Sequence, residues 1–152
     1  MRRVCLSLLY LLPLAVLCQP GTSTPMPFNL SDHQWTHRLL LVFAPSDEHP
    51  DLLAQRHMTT GFADGFRDRN LLFVTVLERG ESLADNQPVD DTSAAVLREQ
   101  FSIAPGGFAV VLVGKDGTEK RRSERPVSIE SVFEQIDQMP MRQREMRQRD
   151  GG

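Results

Sequence analysis

The stretch LLLVFAPSDEHPDLLAQ, residues 39–55, decides the architecture. Leu39 to Ala44 is a continuous apolar run closed by Pro45. Such a run suits a strand covered on both faces, as in a parallel sheet. Pro50 fits the first position of a helix, where its missing N–H removes no hydrogen bond, and Ser46 or Asp47 stands ready to cap the orphan amides. The segment therefore reads strand, tight turn, helix. The turn between them carries polar and titratable side chains and no sulfur.

Downstream, Ala54, Met58, Phe62 and Phe66 recur every four residues and predict one helical face. Leu71 to Leu77 (LLFVTVL) is a second buried strand, and Gly80 to Val89 reads as a polar loop. Asp91-Thr92-Ser93 offers a cap for a helix through Phe101, with Val96, Leu97 and Phe101 on its inner face. Phe108 to Val113 is a third strand. Lys115-Asp116-Gly117 predicts a hairpin, because Asp-Gly tolerates positive φ, and Thr118 to Arg122 returns as a charged edge strand. Ser128 is a good N-cap, with Val127 and Val132 forming a hydrophobic staple across it. Ile129, Val132, Phe133, Ile136 and Met139 follow at helical spacing until Pro140, after which Met141 to Arg149 continues as a charged helical piece. The order is β-α-β-α-β-β-α, an α/β fold with a mixed central sheet and helices on both faces.

The N-terminus has a different character. Met1-Arg2-Arg3 precedes an apolar run from Val4 to Leu17, the pattern of a secretory signal peptide over residues 1–18. The run is shorter than the ~20 apolar residues of a membrane span, so no stable span is expected in the mature chain. Cleavage near Cys18 gives a secreted or periplasmic product. Lipid attachment at Cys18 is the alternative, which Leu17 disfavours because it is not small. Residues 19–34 read as a flexible, Pro/Ser/Thr-rich lead-in, 35–139 as the domain, and 140–152 as a charged C-terminal helical extension or tail. The only cysteines are Cys5 and Cys18. Cleavage after Cys18 leaves no thiol for disulfide exchange. Without Arg2 and Arg3 the formal charge moves from −3 to about −5, which argues against a nucleic-acid partner.

The element order is that of a thioredoxin core, and the segments WTHRLLLVFAP (35–45), FRDRNLLFVTV (66–76), FAVVLVGKDGTEKRR (108–122) and FEQIDQMPMRQREM (133–146) narrow it. They resemble the thioredoxin-like domain of unknown function of secreted bacterial proteins. That domain is related to the P-DUDES domain of sushi-repeat-containing and Equarin extracellular proteins. The resemblance implies a fold and an exported location, not a reaction. Against catalytic thioredoxins, the turn at 45–50 lacks both cysteines. Ala109 stands where their docking proline would be, with Pro105 four residues earlier.

The expected role is a non-catalytic binding module for a protein or an anionic glycan, with no cofactor and no metal. Its candidate contact residues are Ser46, Asp47 and His49 in the first turn, Lys115, Lys120, Arg121 and Arg122 on the hairpin, and Met141, Arg142 and Met146 beyond Pro140. The cations suit an anionic partner and the methionines an adaptable contact. The alternative is a hydrolytic or metal-dependent enzyme in which Asp47 and His49 act as acid and base or as ligands. His33 and His37 are four apart, but the segment leads into a strand, so both are expected to stay exposed with Trp35 packed on the domain edge.

Overall fold

The computed structural model describes residues 24–151. The expected signal peptide at 1–18, both cysteines, and residues 19–23 of the lead-in lie outside the described residues. The elements run α1 (Leu30–His33), β1 (Arg38–Ala44), α2 (Pro50–Thr59), α3 (Ala63–Asp68), β2 (Leu71–Leu77), β3 (Ser82–Ala84), β4 (Gln87–Val89), α4 (Asp91–Gln100), β5 (Ala109–Val113), β6 (Glu119–Ser123), α5 (Ile129–Asp137) and α6 (Pro140–Asp150). They form one six-stranded sheet in the order β4-β3-β2-β1-β5-β6. β1 and β2 pair in parallel, and the other neighbours are antiparallel.

The apolar run of β1 behaves as its composition requires. Every residue from Leu39 to Ala44 is at most 2% exposed. Alternate side chains serve opposite faces, as the two-residue period of a strand dictates. Leu39, Leu41 and Phe43 pack with Val74, Val76, Val111, Ala94 and Leu97 of α4, and Phe101 at the C-cap of that helix. Leu40, Val42 and Ala44 pack with Leu112, Leu52 of α2, and Ile129, Val132 and Ile136 of α5. The sheet is thus sandwiched between helices. Phe28 is 8% exposed within the first cluster, and Met26 bridges Val89 at the β4 edge. The core therefore draws on residues upstream of Trp35.

Four local readings need correction. Ala54, Met58, Phe62 and Phe66 do not share one helix. The chain breaks at Thr60, which is extended, and α3 starts afresh, while the buried residues of α2 are Leu52 and Gln55. Neither Ser46 nor Asp47 caps α2. His49 is the N-cap residue without a side-chain bond, and Pro50 begins the helix. Val96 is 54% exposed, and Arg98 takes an inward position beside Ala94 and Leu97. The expected loop at 80–89 contains the hairpin β3–β4, turned by Asp85 and Asn86 at φ 47° and 66°. Two successive left-handed residues are the geometry of a tight type I′ connection.

The second hairpin follows its sequence signal. Gly117 has φ 78° and donates to Gly114 O at 2.9 Å, and Gly114 donates to Thr118 O at 2.9 Å. A β-branched residue is strongly disfavoured there. Gly117→Val is expected to cost about 1–2 kcal/mol, read as a lowered midpoint in urea. A midpoint equal to the parent's would contradict the turn.

Candidate functional site

The first turn occupies the carboxyl end of β1, where open α/β sheets present ligand sites. Asp47 and Glu48 are exposed, Ser46 is half-buried and accepts from the His49 N–H at 3.3 Å, and the His49 ring stacks on Phe108 with centroids 5.7 Å apart. His49 Nδ1 is buried without a partner. Among the described residues no hydrogen bond joins the His49 ring to Asp47, Glu48 or Asp51. The end of β1 is instead closed by Arg98, which donates to Ala44 O at 3.2 Å, Ala104 O at 3.0 Å and Glu78 Oε2 at 3.3 Å. Glu78 Oε2 also accepts from the Gly106 N–H at 2.7 Å. These contacts tie the end of β1 to the loops that follow β2 and α4.

The far end of the sheet gathers more of the candidate residues. The helix junction Met139-Pro140-Met141 folds against the β5–β6 hairpin. Together they line a groove of about 520 Å³ whose walls include Arg38, Gly114, Lys115, Lys120, Met141 and Arg144. Gly114 has a steric reason to be glycine. A Cβ there would lie 2.5 Å from Lys120 Cε and 2.8 Å from Asp116 Oδ1. Lys120 Nζ pairs with Asp116 at 2.6 Å, and Lys115 Nζ with Glu145 at 2.9 Å and Asn70 Oδ1 at 3.0 Å. Burial raises the pKa of Asp116, but Lys120 and the Thr118 amide outweigh it, so its carboxyl stays below the usual range.

The remaining candidates separate. Arg121 donates to Ser131 on the α5 side, whereas Arg122 donates to Phe101 O on the α4 side and forks onto Glu119 at 3.0 and 2.7 Å. The two arginines stand on opposite faces and form no single patch. Met146 is half-buried. Arg142 is 2% exposed, donating to Asp137 Oδ1 at 3.0 Å, to Asp68 O at 2.8 Å and to the Asp68 carboxylate. It anchors α6 and is not available to a partner.

Trp35, expected to pack, is 63% exposed with φ 66°. A bulky side chain at positive φ is an outlier that the surroundings must enforce. Here its N–H is held by Lys115 O at 2.6 Å, and Gln34 Nε2 donates to Asp116 O at 3.0 Å. The sequence signal was there to read, since the only tryptophan of the chain sits in the polar segment HQWTH. His33 stacks on Phe28 at 4.7 Å and meets His37 edge-on at 5.7 Å. Burial and then His37 lower its pKa against the pull of Asp32. No group of three or more metal-ligating side chains occurs among the described residues. No helix there is long and apolar enough to cross a membrane.

Comparison with known proteins gives a consistent result. The profile described as "Domain of unknown function (DUF4174)" matches residues 29–145. Coiled-coil domain-containing protein 80 of Danio rerio is 30% identical over 133 residues, covering 77% of this chain and 15% of that protein. Sushi repeat-containing protein SRPX2 of Xenopus laevis is 27% identical over 158 residues, covering 90% of this chain and 34% of that protein. The chain thus spans well under half of either relative. Among solved structures, Plasmodium yoelii thioredoxin peroxidase I superposes with TM-score 0.53 at 18% identity, covering 71% of this chain and 75% of that one. The reduced Plasmodium vivax 2-Cys peroxiredoxin gives 0.55 at 15%, covering 72% and 81%. These likenesses establish the thioredoxin-like fold.

Proposed function

The chain belongs to the DUF4174 domain family, and on that premise we propose that it is an exported, non-catalytic binding domain. Its contact surface centres on the hairpin at Lys115–Gly117. The carrying observation is Trp35, held at φ 66° and 63% exposed beside Lys115. Exposed tryptophan is the residue type that most often anchors protein contacts. Backbone strain retained under an exposed ring has no stabilising purpose of its own. Lys115 belongs to both neighbourhoods: its carbonyl holds Trp35, and its side chain lines the groove with Met141. The signal-peptide pattern in the sequence of residues 1–18 supports export. The first turn supports the absence of thiol chemistry, since its peroxiredoxin-like scaffold carries Ala-Pro-Ser-Asp-Glu-His where a sulfur nucleophile would be needed.

The test separates stability from binding. Asn tolerates positive φ, so Trp35→Asn is expected to keep stability or raise it by up to about 1 kcal/mol. A photoreactive residue at position 141 should crosslink to a partner in the exported compartment. Trp35→Asn should reduce that product about tenfold, the effect of losing a hot-spot side chain. A destabilised variant with undiminished crosslinking would make Trp35 structural and overturn the reading. The alternative, an enzyme using Asp47 and His49, requires a reaction that His49→Ala abolishes.

A further inference from the structure

We propose that the groove between the β5–β6 hairpin and the α5–α6 junction binds a carboxylate-bearing, apolar peptide segment of a partner protein. This rests on the binding-domain reading and names the chemistry of its partner.

The groove is short of anions. Arg38, Lys115, Lys120 and Arg144 line it, and among the described residues the carboxylates paired with them are Asp116 and Glu145. The excess stands out in a chain whose formal charge is −3. Arg38 is the buried member of this set. Its side chain is 1% exposed, its terminal nitrogens reach Glu145 at 3.2 and 3.3 Å, and its Nε is buried without a partner. Arg38 Nη1 also donates to Arg69 O at 2.8 Å, so the guanidinium is a fixed positive charge behind the groove, and the cation that an incoming carboxylate can reach is the exposed Arg144. Gln135 and Gln138 add amide groups to the same walls.

The α5–α6 junction adds apolar lining from Met139, Pro140 and Met141, with Arg144 farther along α6. Methionine packs adaptably against varied aliphatic groups. Cationic and apolar side chains in one groove fit a peptide whose carboxylates alternate with aliphatic side chains. A sulfated glycan has no aliphatic side chains to pack on Met139, Pro140 and Met141. It would use a continuous exposed basic strip, and Arg121 and Arg122 stand on opposite faces, committed to Ser131, Glu119 and Phe101.

The probe is a fluorescein-labelled peptide of alternating aspartate and leucine, read by anisotropy on the full chain. Companion peptides replace aspartate by lysine or leucine by glycine, and a heparin oligosaccharide serves as the glycan arm. Binding should be restricted to the aspartate–leucine peptide and weaken with added salt. Arg38 variants risk unfolding, so Arg144→Glu carries the test, because Arg144 is exposed. It should weaken binding about tenfold with an unchanged melting curve. Methyl resonances of Met139 and Met141 should shift on titration. Heparin binding with no peptide binding, equal binding of the lysine peptide, or an Arg144→Glu variant that binds like the parent would each overturn the proposal. If the crosslink from position 141 persists while the peptide fails, only the acidic–apolar chemistry falls. If the crosslink is absent, the surface itself falls.

Discussion

Gln55→Leu is expected to destabilise the domain by about 4 kcal/mol, although it exchanges one side chain for another of similar size. Gln55 sits on α2 with no exposed surface, and its amide pairs with the backbone of Val127 in both directions. Nε2 donates to Val127 O at 3.0 Å, and Oε1 accepts from Val127 N at 2.8 Å. The side chain thus acts as a strand of one residue, satisfying a backbone unit that enters the core just before α5. Leucine would fill the volume and leave that N–H and C=O unpaired in a dry site. Each orphan costs about 1–3 kcal/mol. For a domain of this size the melting point should fall by roughly 15 °C.

A second substitution distinguishes lost hydrogen bonds from lost packing. The carboxylate of Gln55→Glu would accept from Val127 N but face Val127 O, and burial would raise its pKa. Protonated, it donates to that carbonyl and restores both bonds. A group whose folded pKa is raised contributes its stability below the unfolded value, and loses it as pH rises through the folded one. The Gln55→Glu variant should therefore recover relative to the parent as pH falls toward 4, while Gln55→Leu should show no such recovery. If both variants melt within about 1 kcal/mol of the parent, the amide pairing is not holding α2 to the segment before α5.

How much of this was legible in the residues depends on range. β1, β2 and β5 were readable because a doubly covered strand must be apolar throughout. α5 was readable because its buried stripe repeats locally, and Ser128 caps it by accepting from the Ser131 N–H. The β3–β4 hairpin was missed because three-residue strands are too short for a period, although Asp85-Asn86 carried the turn signal. The false long helix arose because Phe62 and Phe66 keep the spacing of α2 across the break. They do so to reach Phe133 of α5, and the match in spacing is accidental. The buried polar residues were illegible for a common reason. Arg38, Gln55 and Arg142 are made tolerable by partners 31 to 107 residues away. The basic hairpin and the Met-Pro-Met segment could be paired from the sequence as one surface, and the packing of the α5–α6 junction on the hairpin places Lys115, Lys120 and Met141 in one groove. The pleat of β6, conversely, separates Arg121 from Arg122.

Arg142→Met tests what holds α6, whose sequence offers few apolar residues to the core. Its attachment is ionic. Arg142 bridges Asp137 and Asp68, Glu145 bridges Arg38 and Lys115, and Arg149 reaches Asp68. Removing one partner of an isolated, fully buried ion pair leaves the other charge uncompensated and costs about 3–5 kcal/mol. Here Asp68 and Asp137 are 38% and 31% exposed, Asp137 keeps Arg69 at 2.5 Å and Asp68 keeps Arg149, so a smaller cost of about 2 kcal/mol is expected at pH 7. Arg149→Met, at an exposed pair, should cost under about 0.5 kcal/mol. The pH dependence follows from the carboxyls. The hydrogen bond from Arg149, ahead of those from Arg142, holds Asp68 below the usual range. Burial raises Asp137 and Glu145, but Arg69 and Arg142 outweigh it at Asp137, as Lys115 and Arg38 do at Glu145, so both are depressed. A depressed carboxyl contributes stability that is fully present above its unfolded pKa, about 4, and is lost as pH falls through the folded value. The parent should therefore lose stability below about pH 4, and the gap between parent and Arg142→Met should narrow over the same window. Trypsin gives an independent readout, since release of α6 should expose Arg144 and Arg147 to cleavage at neutral pH in the variant. Replacing a buried charge by an apolar side chain sometimes stabilises a protein. An Arg142→Met chain that is as stable as the parent and equally resistant to trypsin would mean that Met141, Met146 and the helix backbone hold α6 without the ion cluster.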